Sequence, residues 1–388
     1  MTTLDKTVSI LTDLVSYPSV SSESNLEIIN YLANRIKDCG GSVNLMSSED
    51  GSQANLFGTI GPEINGGIVL SGHTDVVPAK ELDWNSDPFH LTKKDNLLYG
   101  RGTCDMKGFI AATLAAAESL KNRKLNLPVH FSFTYDEEIG CFGARHLSHE
   151  LKKYKFKPSM VIVGEPTEME IIEAHKGDCE YTTCFYGIEG HAAKPDKGVS
   201  AIQYGSRFTN KLFELGNDLK KRAPPDSPFE PPWTTIQAGR IEGGVAHNVI
   251  AGKCTIDWEI RPINKLDMDF VKNQLSRYCE DDLLPEMRST FPKAKIETDI
   301  VGEIPGLIPK KENEARVIMQ ELLKSNSTGV ISFGTEAGIF QEMEMDVVVC
   351  GPGSIDQAHK ANEFISLPQL EKCLLNLLNL LDQWSTRS

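Results

Sequence analysis

Several features are missing from this sequence of 388 residues, and each absence excludes a class of protein. No apolar run approaches the ~20 residues that a membrane-spanning helix needs. The nine cysteines include no C-x-x-C pair, so the sequence indicates neither a disulfide framework nor a zinc site built from cysteines. No internal repeat or low-complexity tract stands out, which argues against a repeat architecture.

Basic residues are also fewer than acidic residues. The chain has 40 Lys and Arg against 54 Asp and Glu, and its formal net charge is −14. Proteins that bind nucleic acids or anionic membranes need a basic face, so this balance disfavours both functions. With 24% charged and 40% hydrophobic residues, the composition is that of a globular protein of two or three domains.

The first segment predicts an amphipathic helix rather than a signal peptide. Its apolar residues are interrupted by three charged residues, Asp5, Lys6 and Asp13, whereas the apolar region of a secretory signal carries no charge. Helical patterning resumes after a Ser-rich turn at 19–24 and ends at the glycine pair 40–41. Because the cysteines are odd in number and scattered, we expect a cytoplasmic protein in a reducing environment.

Strands and helices alternate through both ends of the chain. An Ala-rich helix is expected at 109–120. Four apolar strands, each followed by a polar or glycine-rich loop, are expected at 68–70, 129–134, 160–163 and 347–350. This alternation predicts an α/β sheet with helices on both of its faces.

The middle of the chain follows a different order of elements. Strands are expected at 180–186, 234–241, 254–260 and 295–301, with helices at 200–215 and 268–284. This βαββαβ order is the ferredoxin-like pattern of a small sheet covered by two helices. The sequence therefore predicts a discontinuous α/β domain, residues 1–177 and 304–388, interrupted by a ferredoxin-like domain at 178–303.

Acidic and imidazole side chains follow the predicted strands at five positions, and a sixth, Asp105, lies in a glycine-rich turn before a helix. Taken singly, such residues are more often structural or solvated than functional. In an open α/β sheet, however, the carboxyl ends of the strands share one edge, where ligands bind. Two imidazoles and four carboxylates at that edge would repel one another unless cations held them, and mixed ligation of this kind suits Zn²⁺. The six residues are His73, Asp105, Glu137, Glu138, Glu165 and His359.

Two of the acidic residues have further chemical roles open to them. Asp75 lies two residues after His73, on the same side of an extended segment, so its carboxylate can orient the imidazole ring. The alternative is that Asp75 caps backbone amides in its loop. If Glu138 is held by metal, Glu137 can move a proton from water to a leaving amine. The alternative for this acidic pair is a turn on the surface.

Two other apparent motifs indicate neither a nucleotide-binding site nor a cysteine nucleophile. The glycine-rich stretch at 100–108 matches neither the P-loop nor the dinucleotide fingerprint. Cys104 in this stretch has no positioned base, so we expect a small packed residue rather than a nucleophile.

Nine short motifs occur in order along nearly the whole chain, and together they resemble a known family. This family is the co-catalytic zinc amidohydrolases, which include succinyl-diaminopimelate desuccinylase, aminoacylase and glutamate carboxypeptidase. The motifs are SGHTDVVP (71–78), YGRGTCDMKG (99–108), TYDEEIG (134–140), GEPT (164–167), EGHAAKP (189–195), AHNVI (246–250), IRP (260–262), FGTEAG (333–338) and GPGSIDQAHK (351–360).

The resemblance implies a role for each matching residue of the α/β domain. It implies two zinc ions, which Co²⁺ could replace, and hydrolysis of the amide bond of an N-acyl amino acid. One ion would be bound by His73 and Glu165, the other by Glu138 and His359, with Asp105 bridging both. Asp75 would be the partner of His73, and Glu137 the general base.

The resemblance also implies that the inserted domain is a lid that forms a homodimer. His191 would reach the active site of the partner subunit and stabilise the oxyanion, while Asn248 and Arg261 would contact the substrate. Arg261 presents a fork of donors suited to a carboxylate. Other acyl substrates or a dipeptide remain alternatives, as does a metal-binding relative without turnover, although the presence of Glu137 disfavours the last.

Overall fold

The computed structural model describes residues 2–80 and 83–387. The chain forms two compact units. The second unit consists of His175–Ile308 and Val330–Gly334, and the first contains the remaining residues. The sequence predicts nearby breaks, after residues 177 and 303, but it assigns 330–334 to the first domain.

The bounds of the α-helices and strands are as follows. The helices are α1 (Thr3–Val15), α2 (Leu26–Asp38), α3 (Gly108–Ala117), α4 (Phe142–Leu151), α5 (Ala201–Lys221), α6 (Lys265–Arg277), α7 (Leu284–Thr290), α8 (Glu314–Leu323), α9 (Ala337–Glu342) and α10 (Leu367–Thr386). The strands are β1 (Ser42–Ser47), β2 (Ala54–Ile60), β3 (Ile68–His73), β4 (Thr92–Lys94), β5 (Leu97–Tyr99), β6 (Val129–Thr134), β7 (Met160–Pro166), β8 (Ile172–His175), β9 (Asp178–Tyr186), β10 (Gly190–His191), β11 (Thr235–Gly243), β12 (Val249–Ile250), β13 (Lys253–Arg261), β14 (Lys295–Ile304), β15 (Gly329–Ile331), β16 (Asp346–Gly351) and β17 (Phe364–Ser366). Among the helices in the described part of the chain, none is both long and apolar enough to cross a membrane.

A mixed sheet forms the centre of the first unit, in the order β1-β2-β6-β3-β7-β16-β8-β15. Its four middle strands, β6, β3, β7 and β16, are parallel. Their apolar residues are buried throughout β3, β6 and β7, as expected for parallel strands that are covered on both faces. The α/β prediction is confirmed, and the carboxyl ends of these strands meet at one edge.

Helix α3 is the best-buried helix of this unit. Every residue from Gly108 to Ala117 is buried, and α3 packs against α1 and α10. On the sheet side, a Cβ at Gly164 would overlap the ring of Phe109. The glycine therefore allows α3 to approach β7 closely, immediately before the carboxylate of Glu165.

The second unit has the predicted ferredoxin-like order. Its antiparallel sheet runs β11-β13-β9-β14, and its helices α5 and α6 follow β9 and β13 in the chain. Tyr181 and Trp258 stack in its core with ring centroids 4.4 Å apart. The buried indole N–H of Trp258 donates to Thr183 Oγ1 at 2.9 Å, so the core is packed without leaving this donor unpaired.

Some elements differ from the sequence-based expectation. Strands β1 and β2 were not predicted, although they form one end of the main sheet. The long helix expected at 268–284 is not continuous, because α6 ends at Arg277 and a π-helical segment, Tyr278–Leu283, leads into α7. A proline at the first turn of α7, Pro285, has no N–H to continue the hydrogen-bond ladder of a preceding α-helix.

Candidate metal centre

The first group of side chains lies where β3 and β7 end. His73 is the last residue of β3 and lies two residues after Ser71, which pairs with Val163 of the parallel strand β7. Glu165 lies two residues after Val163, so it is level with His73. The Nε2 atom of His73 is 3.0 Å from Asp105 Oδ1 and 3.7 Å from Glu165 Oε1. The sheet register therefore brings His73 and Glu165 together, and the loop before α3 adds Asp105 to this buried group.

Asp105 also faces a second imidazole. Its other oxygen, Oδ2, lies 3.4 Å from Nε2 of His359, and the same nitrogen is 2.8 Å from Glu138 Oε2. His359 has a positive φ of 60° and lies in the loop after β16. The two oxygens of Asp105 thus each point at a different imidazole, which is the arrangement expected of a carboxylate shared by two cation sites.

Asp75 connects the strand of His73 to the loop of the acidic pair. Its Oδ1 accepts from the backbone N–H of Glu137 at 3.1 Å, and its Oδ2 accepts from that of Glu138 at 3.3 Å. The Oγ of Ser21 donates to Oδ2 at 2.7 Å. The Nδ1 atom of His73 is 2.9 Å from the backbone oxygen of Asp75 and 3.6 Å from its carboxylate. The carboxylate therefore caps the loop amides and also lies beside the imidazole.

Glu137 lies within the same cluster. One of its oxygens, one ring nitrogen of His73 and one oxygen of Glu165 all lie within 4.8 Å of one another. Burial raises the pKa of Glu137 well above its ordinary value, the charge of His73 opposes this, and the neighbouring carboxylates reinforce it. In the protein without cations, Glu137 therefore holds a proton more readily than an ordinary glutamate does.

The other carboxylates show how strongly the acidic groups repel one another. Burial and the charge of Asp105 raise the pKa of Glu138 to about 7. The same two causes raise the pKa of Glu165 well above its ordinary value. Burial also opposes ionisation of Asp105, but hydrogen bonds from His359 and His73 outweigh it, so the pKa of Asp105 is lowered.

The neighbouring carboxylates favour the charged form of the two imidazoles and so raise their pKa values. Hydrogen bonds to Asp105 and Glu138 raise the pKa of His359 to about 10. Burial lowers the pKa of His73, but hydrogen bonds to Asp105 and Asp75 outweigh it and hold this pKa well above its ordinary value. In the protein without cations, the carboxylates are therefore compensated by protons, and a divalent ion could replace those protons.

The residues predicted in the inserted domain lie in the second unit, at two separate places. His191 is exposed in β10, which pairs with β12 through Val249, and the N–H of Ala192 donates to the backbone oxygen of Asn248 at 3.0 Å. Arg261 is the last residue of β13, whose first residue closely follows β12. At ~3.3 Å per residue, the nine-residue strand β13 separates the two places by roughly 26 Å.

The guanidinium of Arg261 already has acidic partners in this structure. One terminal nitrogen pairs with Asp178, while Nη2 and Nε donate to Glu259 Oε2 at 2.9 and 3.2 Å. A guanidinium has five N–H donors, so these contacts leave donors for a further carboxylate. The ion pairs of Arg261 were not anticipated from the sequence.

Comparison with known proteins identifies the family. Residues 69–383 match the model of peptidase family M20/M25/M40. A curated relative, the acetylornithine deacetylase of Photorhabdus laumondii, is 33% identical over 368 residues, which cover 93% of this chain and 92% of the relative. The chain belongs to peptidase family M20/M25/M40. It is accordingly a metal-dependent amide hydrolase.

Solved structures of M20 proteins share this fold. Aminopeptidase PepT of Bacillus cereus superposes with a TM-score of 0.75 at 21% identity and covers 99% of both chains. A protein of Bacillus subtilis, described as a dinuclear metal-binding peptidase of the M20 family, has a TM-score of 0.63 at 15% identity and covers 98% of both chains. At these identities, the structural likeness concerns the fold alone.

The residues of this M20 chain fit a divalent metal. Two imidazoles and three carboxylates form a chain of contacts centred on Asp105, and hard oxygen with borderline nitrogen donors suits Zn²⁺ and similar ions. The buried Oε1 of Glu165 has no hydrogen-bond partner within the described residues. A buried acceptor without a donor is costly, and a cation would satisfy it.

Sequence reasoning did not single out two residues that support the site. Ser21 lies in the predicted Ser-rich turn and reaches Asp75 from a distant part of the chain. Glu363 follows the last of the nine motifs and holds the loop of Asp105. The only available signal for Glu363 was its place between the His359 loop and a short apolar run, and that signal is too common to be informative.

Proposed function

We propose that the chain hydrolyses N2-acetyl-L-ornithine to L-ornithine and acetate, as a zinc-dependent deacetylase of arginine biosynthesis in the cytoplasm. The placement of Asp105 between two imidazoles, with Glu137 beside them, is the observation that carries this proposal. The name of the Photorhabdus relative supports the substrate. The cysteines, all nine of which are free thiols, are compatible with a reducing compartment.

We assign the ligands of two ions from the contacts of Asp105. His73 and Glu165 would hold one Zn²⁺, Glu138 and His359 the other, and Asp105 would hold both. Co²⁺ is the expected substitute. When bound, the ions supply Lewis-acid polarisation of the amide carbonyl and lower the pKa of the attacking water.

The chain's own residues then move the proton. Glu137, in its ionised form, would take the proton from the attacking water and deliver it to the departing α-amine. Asp75 would keep the Glu137 backbone in place through its amide hydrogen bond and would support the ring of His73.

We further propose a homodimer formed through the second unit, which would serve as the lid. His191 would stabilise the oxyanion in the site of the partner subunit, and Asn248 would contact the substrate there. Arg261 would bind the carboxylate of a different substrate molecule from the one that His191 contacts. The separation of roughly 26 Å along β13 supports this division, because one subunit cannot bring both ends of the strand to one small substrate.

The substrate assignment predicts an order of activities. Purified, zinc-loaded protein should show its highest kcat/KM for N2-acetyl-L-ornithine in a series that includes N-succinyl-diaminopimelate, N-acetylcitrulline and dipeptides. Release of the free amine measures each reaction. A higher kcat/KM for any other member would reassign the substrate within the family, and no hydrolysis of any member would favour a metal-binding relative without turnover.

The adjacent carboxylates predict opposite behaviour for two matched variants. Glu137→Gln should retain two metal ions and lose kcat by roughly 10²–10⁴-fold, since only the proton transfer is removed. Glu138→Gln should bind metal at least ~10-fold more weakly, since a ligand is neutralised. Metal content and steady-state kinetics separate the two effects. If Glu137→Gln turned over at the wild-type rate, Glu137 would not be the base.

The dimer proposal predicts recovery of activity by mixing two defective variants. His191→Ala and Glu137→Gln should each be nearly inactive alone. After unfolding together and refolding, half of randomly paired dimers are mixed and each holds one intact site, so about a quarter of the wild-type activity should return. A mixture of Glu137→Gln with Glu138→Gln is the control and should not recover. Absence of recovery in the first mixture would place His191 outside the partner's site.

A further inference from the structure

Glu363 is a buried carboxylate whose side chain is surrounded by donors from a single loop. The residue is 1% exposed and lies four positions after His359. Its Oε1 accepts from the backbone N–H groups of Cys104 at 2.8 Å and Asp105 at 3.1 Å. Its Oε2 accepts from Arg101 Nη1 at 2.7 Å and from the backbone N–H of Gly102 at 2.9 Å.

The backbone contacts of Glu363 extend the same attachment. Its carbonyl oxygen accepts from the N–H of Gly100 at 3.0 Å, and β17, which follows it, pairs with β5 through Phe364 and Tyr99. Arg101 Nη1 also lies 3.4 Å from the backbone oxygen of Lys360. The loop at 100–105 and the segment at 359–363 are therefore fastened together.

This attachment bears directly on the metal centre. Asp105 ends one of the two fastened segments and His359 begins the other, and their side chains lie 3.4 Å apart. The loop of Asp105 is irregular and includes Gly102 with a φ of 80°, so its amides have no regular helix or strand to pair with. Glu363 supplies the acceptors that those amides need.

A buried charge is an expensive way to hold a loop if stability alone is at stake. Replacing a buried ion pair with apolar residues is often neutral or stabilising. A carboxylate that receives four hydrogen bonds fixes the direction of every donor, however, and an apolar side chain fixes none. The geometry of the loop, rather than its stability, is what this arrangement secures.

We propose that Glu363 is a positioning residue that holds Asp105 and His359 at the spacing required to share a metal ion. This inference rests on the proposed function, because it assumes that both residues are ligands. Both carboxylate oxygens of Glu363 already accept hydrogen bonds from the loop, so Glu363 is not assigned as a metal ligand. It acts through the backbone amides of Cys104 and Asp105 and through the short chain segment that leads back to His359.

Glu363→Gln tests this role. Whichever way its amide is turned, an NH₂ group replaces one acceptor, so two of the four donors lose their partner. Metal-free protein should then bind at least one of its two Zn²⁺ equivalents roughly 10–100-fold more weakly than wild type. Competition with a chelator measures the affinity, and the visible spectrum of the Co²⁺-loaded variant reports the changed ligand geometry.

Asp267→Asn is the matched control. Asp267 is a buried carboxylate of the second unit, which accepts from Arg222 Nε at 3.1 Å and from Thr234 Oγ1 at 2.7 Å. Its replacement should lower thermal stability and leave both metal affinities and the Co²⁺ spectrum unchanged. A loss of metal affinity in Glu363→Gln at equal or smaller loss of stability supports the positioning role.

A second variant covers the case in which Glu363→Gln does not fold. Glu363→Asp keeps the charge but is one methylene shorter, so its carboxylate cannot reach all four donors, and we expect an intermediate loss of metal affinity. Wild-type metal affinity in either folded variant would overturn the positioning role. If wild-type protein itself bound no metal at this centre, the proposed function would fail instead, and the two failures are therefore distinguishable.

Discussion

The Asp105 carboxylate, with one oxygen facing His73 and the other facing His359, is the contact on which the site depends. Each imidazole comes with its own acidic neighbour, Glu165 for the first and Glu138 for the second. Because Asp105 contacts both imidazoles, a small shift of its loop would disturb both halves of the site. The loop is irregular and is held from outside by Glu363, which explains why so many donors converge there.

Electrostatic repulsion is the cost of this arrangement. Burial and mutual repulsion raise the pKa of Glu137, Glu138 and Glu165. Hydrogen bonds to Asp105 and Glu138 raise the pKa of His359 to about 10. A buried cluster of repelling carboxylates does not favour the stability of the folded protein when no ions are bound. The parallel strands β3 and β7 supply the rigidity, since they are buried along their length and fix two of the ligands by register.

Much of this could be predicted from the sequence, because strand patterning and polar residues at strand ends are local signals. The fold class, the four middle strands of the first unit and the βαββαβ order of the second unit followed from them. Strand β2 was missed because its sequence, ANLFGTI, lacks alternation and has a glycine, Gly58, in its interior. The ion pairs of Arg261 and the contacts of Glu363 were missed for a different reason: they join residues far apart in the chain, and no local pattern encodes such contacts. The roles of the site residues remain predictions.

The most direct test of the account is a calorimetric titration of Zn²⁺ into metal-free protein near pH 7, repeated in buffers with different ionisation enthalpies. Metal ligands must be deprotonated. Since the raised pKa values of Glu138 and His359 leave protons on the site at this pH, binding should release about one proton or more per chain, and the apparent affinity should rise with pH. The account predicts two equivalents of Zn²⁺ per chain with this proton release. A single equivalent, or binding without any release of protons, would contradict it.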